Sequence, residues 1–184
     1  FLLHSGLLYP LERDPGAFFA ALADLRDKGA VSAGTLRVVL RASGNESAYR
    51  RQAADLGLTD IVEFAPPASY ISSLAEMLSS DGLLVFQGAI CNHQIPAKVY
   101  ECLRAGRPIF ALTDPAGDTA TLLRGTGNHT LVRMDSKEEI SRGLAEFLSG
   151  IGAGKAPTAS KGEIERNSRK SRTLELAGLL DSVR

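Results

Sequence analysis

The chain has 184 residues, 44% of them apolar, and its 21 Lys plus Arg are balanced by 21 Asp plus Glu. That length supports one domain with a sizeable core, and the composition excludes a largely disordered chain. Zero net charge argues against a dedicated nucleic-acid binder, which is normally basic. The two cysteines, Cys91 and Cys102, are too few for a disulfide framework or a zinc site. No apolar run reaches the about 20 residues of a membrane span. The expectation is a cytoplasmic protein with reduced thiols, without nucleic-acid partners and without a resident metal.

The chain starts at Phe1 and enters an apolar run, residues 1–8, that reads as a core strand with no lead-in. It has none of the marks of a secretory leader, so the expectation is a piece of a longer chain cut before a strand. Asp14-Pro15 opens a helix with Phe18, Leu22 and Leu25 at helical spacing and Gly29 past its end. A strand at 36–40, a helix at 46–56 and a strand at 61–64 follow. The next helix, 69–79, carries Ile71, Leu74 and Leu78 as its apolar stripe. A strand at 82–86 leads to a helix at 95–105, with Pro96 in its first turn and Gly106 as its left-handed stop. Then come a strand at 108–112, a short helix starting at 120–123, a strand at 130–132 and a helix at 137–148. Residues 150–161 break the composition and read as a linker, and 162–184 read as one further helix. The first half of that helix is charged and its second half is apolar (Leu174, Leu176, Leu179, Leu180).

Strands that are short, apolar and non-alternating are buried on both faces. Their alternation with helices predicts an α/β fold: a doubly wound, parallel, six-stranded sheet in the Rossmann-like order 3-2-1-4-5-6. The domain spans 1–149. Ligands then sit beyond the carboxyl ends of strands 1 and 4, where the order reverses. The Gly6 loop and the 88–96 loop follow those two strands. No Gly-x-Gly-x-x-Gly follows the first strand, which disfavours a dehydrogenase.

In the 95–105 helix, Val99, Cys102 and Leu103 fall at i, i+3 and i+4 and face the core. Lys98 and Glu101 are neighbours on another face. A helix N-terminus attracts anions, Lys98 adds a full charge in its first turn, and Glu101 can accept from two vicinal hydroxyls. On spacing alone, two readings stand: a nucleotide site, or a surface ion pair worth about 0.2–0.5 kcal/mol.

Four segments, in order, resemble the C-terminal, donor-binding half of GT-B-fold glycosyltransferases of the retaining kind called family 4, or glycosyl transferases group 1. They are His4-Ser5-Gly6-Leu7-Leu8-Tyr9-Pro10, Asp60-Ile61-Val62-Glu63-Phe64, the run 78–86, and Pro96-Ala97-Lys98-Val99-Tyr100-Glu101-Cys102-Leu103-Arg104-Ala105-Gly106-Arg107-Pro108-Ile109. The last is the most specific. The resemblance implies that Glu101 binds the ribose, that Lys98 sits near the donor phosphates and that Gly6 lets the diphosphate approach. It implies that Arg13, helped by Arg41, stabilises the leaving diphosphate. Phe64 and Ala65 lie beside the base, and the loop after strand 5, including Gly117 and Asp118, contributes amides.

Two departures stand out. His93 occupies the place of the family's first glutamate, so His93, Gln94 or the loop backbone takes over its contact with the sugar. Leu7 stands where an arginine is frequent. His4 reads as a satisfied core histidine, and His129 borders the last strand away from the site. The implied activity is transfer of a sugar from a nucleotide-diphosphate sugar to an acceptor hydroxyl, without a cofactor or metal. The acceptor glycan or lipid binds through an N-terminal domain absent here. Alternatives are half of a GT-B-like nucleotide-sugar epimerase and a non-catalytic Rossmann-like interaction module. The tail has three readings: a helix packing onto the missing domain, a basic contact with acidic lipid headgroups at the inner face of a membrane, or a solvated charged helix.

Overall fold

The structure, a computed structural model, describes residues 1–127 and 130–183. The apolar runs form β1 (Leu2–Ser5), β2 (Val38–Arg41), β3 (Val62–Ala65), β4 (Gly82–Gln87), β5 (Ile109–Thr113) and β6 (Thr130–Val132). All pair in parallel in one sheet, ordered β3-β2-β1-β4-β5-β6. Because successive side chains alternate between faces, each strand feeds two cores. Leu2, Val38, Leu84 and Phe110 enter one; Leu3, Val39, Leu83 and Ile109 enter the other.

The first core is covered by α1 (Gly16–Asp27), α2 (Glu46–Asp55) and α6 (Lys137–Gly152). The second is covered by α3 (Tyr70–Ser79), α4 (Ala97–Ala105) and α5 (Asp118–Gly125). The order reverses between β1 and β4, so the loops leaving those strands diverge and open a crevice at their carboxyl ends.

The structure corrects the sequence reading in three places. First, α4 begins at Ala97 rather than Ile95. Pro96 is extended (φ −59°, ψ 134°), and a residue preceding proline is disfavoured in the helical region.

Second, the apolar stripe of α3 is misplaced. Ile71 and Leu78 are 79% and 53% exposed, whereas Met77 is buried and Leu74 partly so. The helix is rotated so that Glu76, beside Met77, reaches Arg41 of β2.

Third, the stretch read as a linker begins inside a helix and packs on the core, and the tail forms two helices rather than one. The helix α6 runs on to Gly152, and Lys155 and Ala156 donate back to the Gly150 carbonyl at 2.8 and 3.0 Å. Ala159 is buried, and it packs on the second core together with the half-buried Ile164 of α7 (Lys161–Arg166). At Ser168 the chain caps a new helix, α8 (Arg169–Ser182), its hydroxyl accepting from the Ser171 amide at 3.2 Å. Such a cap is worth about 1 kcal/mol. Leu174, Leu176, Leu179 and Leu180 of α8 are exposed. Among the described residues no helix is long and apolar enough to cross a membrane.

Candidate functional site

The corner at the order reversal is built by α4. Its Val99, Cys102 and Leu103 are buried as the i, i+3, i+4 spacing requires. Full burial of Val99 and Leu103 contributes roughly 1.5–3 kcal/mol each. Burial also pushes the Cys102 thiol up to about 12, which makes it a packing group rather than a nucleophile. The helix ends at Gly106, whose φ of +65° suits a left-handed stop.

With that face fixed, Lys98 and Glu101 are left about one-third exposed, Lys98 Nζ lying 3.7 Å from Glu101 Oε2. This is an ion pair beyond hydrogen-bond distance. The Lys98 side chain crosses to the β1 loop. A Cβ on Gly6 would lie 3.2 Å from Lys98 Cε and 3.7 Å from its Nζ. Gly6 itself has φ +136°, a conformation that L side chains avoid. The backbone at position 6 therefore favours glycine, and the group that approaches it in this structure is the flexible end of Lys98.

Arg13 belongs to the same corner. Its Nη1 donates to the Leu7 carbonyl at 3.3 Å, and its guanidinium lies over the Tyr9 ring at 5.4 Å. Beneath both cations lies His4, 4% exposed. Its Nδ1 meets the Leu84 carbonyl at 3.0 Å, so Nδ1 is the donor, while Nε2 has no partner. Burial first, then the charges of Lys98 and Arg13, push His4 down to about 4. It is a neutral core imidazole as expected, satisfied at one nitrogen only.

Other sequence candidates are not gathered at this corner. Arg41 does not reach toward Lys98: its guanidinium grips Glu76 through both Nε and Nη2, the latter at 2.7 Å from Oε1, and Nη1 donates to the Pro66 carbonyl at 2.6 Å. Both side chains are under 20% exposed, and the bond to Glu76 raises the guanidinium's pKa.

Phe64 and Ala65 are buried. The Phe64 carbonyl accepts from Arg50 Nη2 at 2.7 Å, beneath a guanidinium stacked on its ring, and the Ala65 carbonyl accepts from the Ala42 amide at 2.9 Å. Pro66 and Pro67 then supply no N–H.

Beyond β5, the expected amides are already engaged. Ala116 N donates to Asp114 Oδ1 at 2.8 Å, Gly117 N to the Asp114 carbonyl at 3.1 Å and Asp118 N to the Asn92 carbonyl at 2.8 Å. The amide of Ala116 and the side chain of Asn92 hold the Asp114 carboxyl below the usual carboxylate range. His93 and Gln94 are exposed on the β4–α4 loop. His129 lies outside the described residues.

Sequence reasoning missed the groups that hold this loop. Gln87, 2% exposed at the end of β4, donates to the Cys91 carbonyl at 2.7 Å and to the Gln94 carbonyl at 2.6 Å, and accepts from Thr119 Oγ1. Asn92 Nδ2 donates to Asp114 Oδ2 at 2.8 Å. A Cβ on Gly117 would lie 2.8 Å from Asn92 Oδ1, so only glycine allows that approach. Gly88 N donates to the Glu12 carbonyl at 2.6 Å and joins the two crevice loops. The one readable signal was a glutamine closing an otherwise apolar strand.

No known family's sequence profile matches the chain. No curated protein matches it in sequence. Solved structures match it in fold. The chain is 19% identical to HepE (Alr3699) of Anabaena, a structure in complex with UDP and glucose, at a TM-score of 0.71, covering 99% of this chain and 48% of that one. It is 14% identical to the pneumococcal O-GlcNAc transferase GtfA, in complex with UDP and GlcNAc, at 0.67, covering 100% of this chain and 36% of that one. It is 13% identical to the C-terminal domain of a glycosyl transferase group 1 family protein (LpcC) from Francisella tularensis, at 0.60, covering 84% and 78%. The chain spans about half or less of the length of the first two. Its fold is that of one Rossmann-like half of the GT-B glycosyltransferases.

Proposed function

We propose that this chain binds a nucleotide-diphosphate sugar at the Lys98 corner, as the donor half of a glycosyltransferase that passes the sugar to an acceptor hydroxyl. One observation carries the reading. At the order reversal, Lys98 of α4 lies over Gly6 of the β1 loop, with the partly exposed Glu101 one turn along the same helix. A cation beside a glycine that has no side chain to obstruct an anion suits a diphosphate. A carboxylate about one turn away suits the two hydroxyls of a ribose. Support also comes from the fold, shared with HepE and GtfA, whose structures contain UDP.

Sugar transfer leaves negative charge on the departing diphosphate. Lys98 is positioned to meet that charge, Arg13 of the same corner adds a second cation, and α4 has no side-chain cap over its first-turn amides. Groups held in place before the charge develops lower the barrier most. Three such donors can do without a bound metal, and we infer a metal-independent transfer; retention is carried by the resemblance to the group 1 family alone. His93 and the backbone near Gln94 face the sugar. Arg41 is excluded from the phosphate set because Glu76 already holds it.

The acceptor, a glycan or lipid, binds through a second α/β half. This chain alone binds donor weakly and transfers little, and we place the reaction in the cytoplasm. The test is calorimetric titration of uridine or guanosine diphosphate into wild type and Glu101→Ala. Losing a charge-assisted bond to the ribose weakens binding about tenfold or more. Equal affinity removes Glu101 from the site, and no binding to the wild type removes the reading.

A further inference from the structure

We propose that Gln87 is the positioning residue of the β4–α4 loop: its buried amide sets where His93 and Lys98 meet the donor. The inference rests on the nucleotide reading of the Lys98 corner and adds to it a residue that touches no ligand. Gln87 uses its whole amide. The two hydrogens of Nε2 go to the Cys91 and Gln94 carbonyls, and Oε1 faces the Thr119 hydroxyl, which also lies 3.2 Å from the Gln94 carbonyl. Neither a carboxylate nor an apolar side chain of similar length supplies two donors and one acceptor.

The two pinned carbonyls bracket His93, which the loop presents outward and exposed. Gln94 is also the second residue before Pro96, where the chain turns into α4. Fixing its carbonyl from below fixes the direction in which α4 starts, and with it the reach of Lys98 over Gly6. Thr119 lies in the first turn of α5, so the same amide joins the loop to the segment after β5. Asn92 reinforces that joint through Asp114 and the Asp118 amide.

The variant Gln87→Glu keeps the size and removes the two donors. Its carboxylate faces two carbonyl oxygens in a buried place, which raises its pKa above the ordinary value. Protonation restores one donor. Uridine diphosphate binding by this variant is therefore weakened about tenfold at pH 8 and recovers part of the loss at pH 5.5, each read as a ratio to wild type at the same pH. Glu12, Cys91, His93, Asp114 and Asp118, on the segments packed around Gln87, are common to both proteins and drop out of the ratio. Gln87→Met loses affinity with no recovery at low pH, and it carries the test if the carboxylate prevents folding.

Hydrogen exchange of the amides between 88 and 95, measured without nucleotide, is faster in both variants. Unchanged affinity in Gln87→Glu and Gln87→Met overturns the proposal, whatever the exchange shows. If the wild type binds neither uridine nor guanosine diphosphate, the nucleotide reading fails. The exchange data then decide the clasp separately, and equal protection in wild type and variants overturns it.

Discussion

Among the cation–glutamate pairs at the carboxyl end of this sheet, two differ in what they leave free. At the exit of β4, Lys98 and Glu101 share one helix, sit 3.7 Å apart and are about one-third exposed. At the exit of β2, Arg41 reaches Glu76 on another element, grips it with two nitrogens and is largely covered. A bidentate, sheltered pair holds structure together. A loose, partly exposed pair contributes little to stability and leaves both charges available to a ligand. A cation near a crevice is free to meet a ligand only when no acidic side chain of the protein already grips it.

The largest effect that sharpens the contrast concerns His4, beneath the open pair. Its folded-state pKa, about 4, lies below the unfolded value near 6.5. The unfolded chain therefore takes up the proton first as pH falls, and stability declines from pH 6.5 toward pH 4. The full loss across that window is up to about 3 kcal/mol. Urea unfolding of wild type shows this slope, and His4→Asn, which retains a donor toward Leu84, flattens it. An equal slope in the variant contradicts the assignment.

Next in size is the closed pair. Arg41→Met leaves Glu76 partly buried and unpaired and lowers unfolding stability by about 2 kcal/mol. Nucleoside-diphosphate affinity stays within about twofold. A large drop in affinity would return Arg41 to the phosphate site and break the contrast. Smallest is the stability effect at the open pair. Lys98→Met changes unfolding free energy by less than about 0.5 kcal/mol, because the lost partner is partly exposed and 3.7 Å away.

The parts of this molecule that follow from short-range periodicity were legible in the sequence. The strand order followed from the alternation of short buried runs with helices. The inward face of α4 followed from Val99, Cys102 and Leu103 at fixed spacing. Where two faces of a helix are both apolar, periodicity does not choose. The helix α3 offers Ile71–Leu74–Leu78 and Leu74–Met77 at compatible spacings, and a side chain 35 residues away, Arg41, is bonded to Glu76 in the rotation adopted.

The candidate site divides in the same way. Lys98 and Glu101 were singled out by helix spacing and, with Gly6, by the family resemblance, and the structure sets Lys98 beside both Glu101 and Gly6. The partners of Arg41, the engaged amides of 114–119 and the Gln87 clasp were not legible, because each depends on a contact made by folding. The tail shows the limit of composition. The glycine-rich stretch read as a linker, yet Ala159 is buried against the second core, and Ser168 restarts the helix within a charged run that has no periodic break.

In the proposed function the open pair, not the closed one, meets the donor phosphates. Titration of uridine diphosphate, or of guanosine diphosphate if that is the better ligand, into wild type, Lys98→Met and Arg41→Met tests it most directly. The account predicts about tenfold or greater weakening for Lys98→Met and near-wild-type affinity for Arg41→Met. Wild-type affinity in Lys98→Met would contradict it.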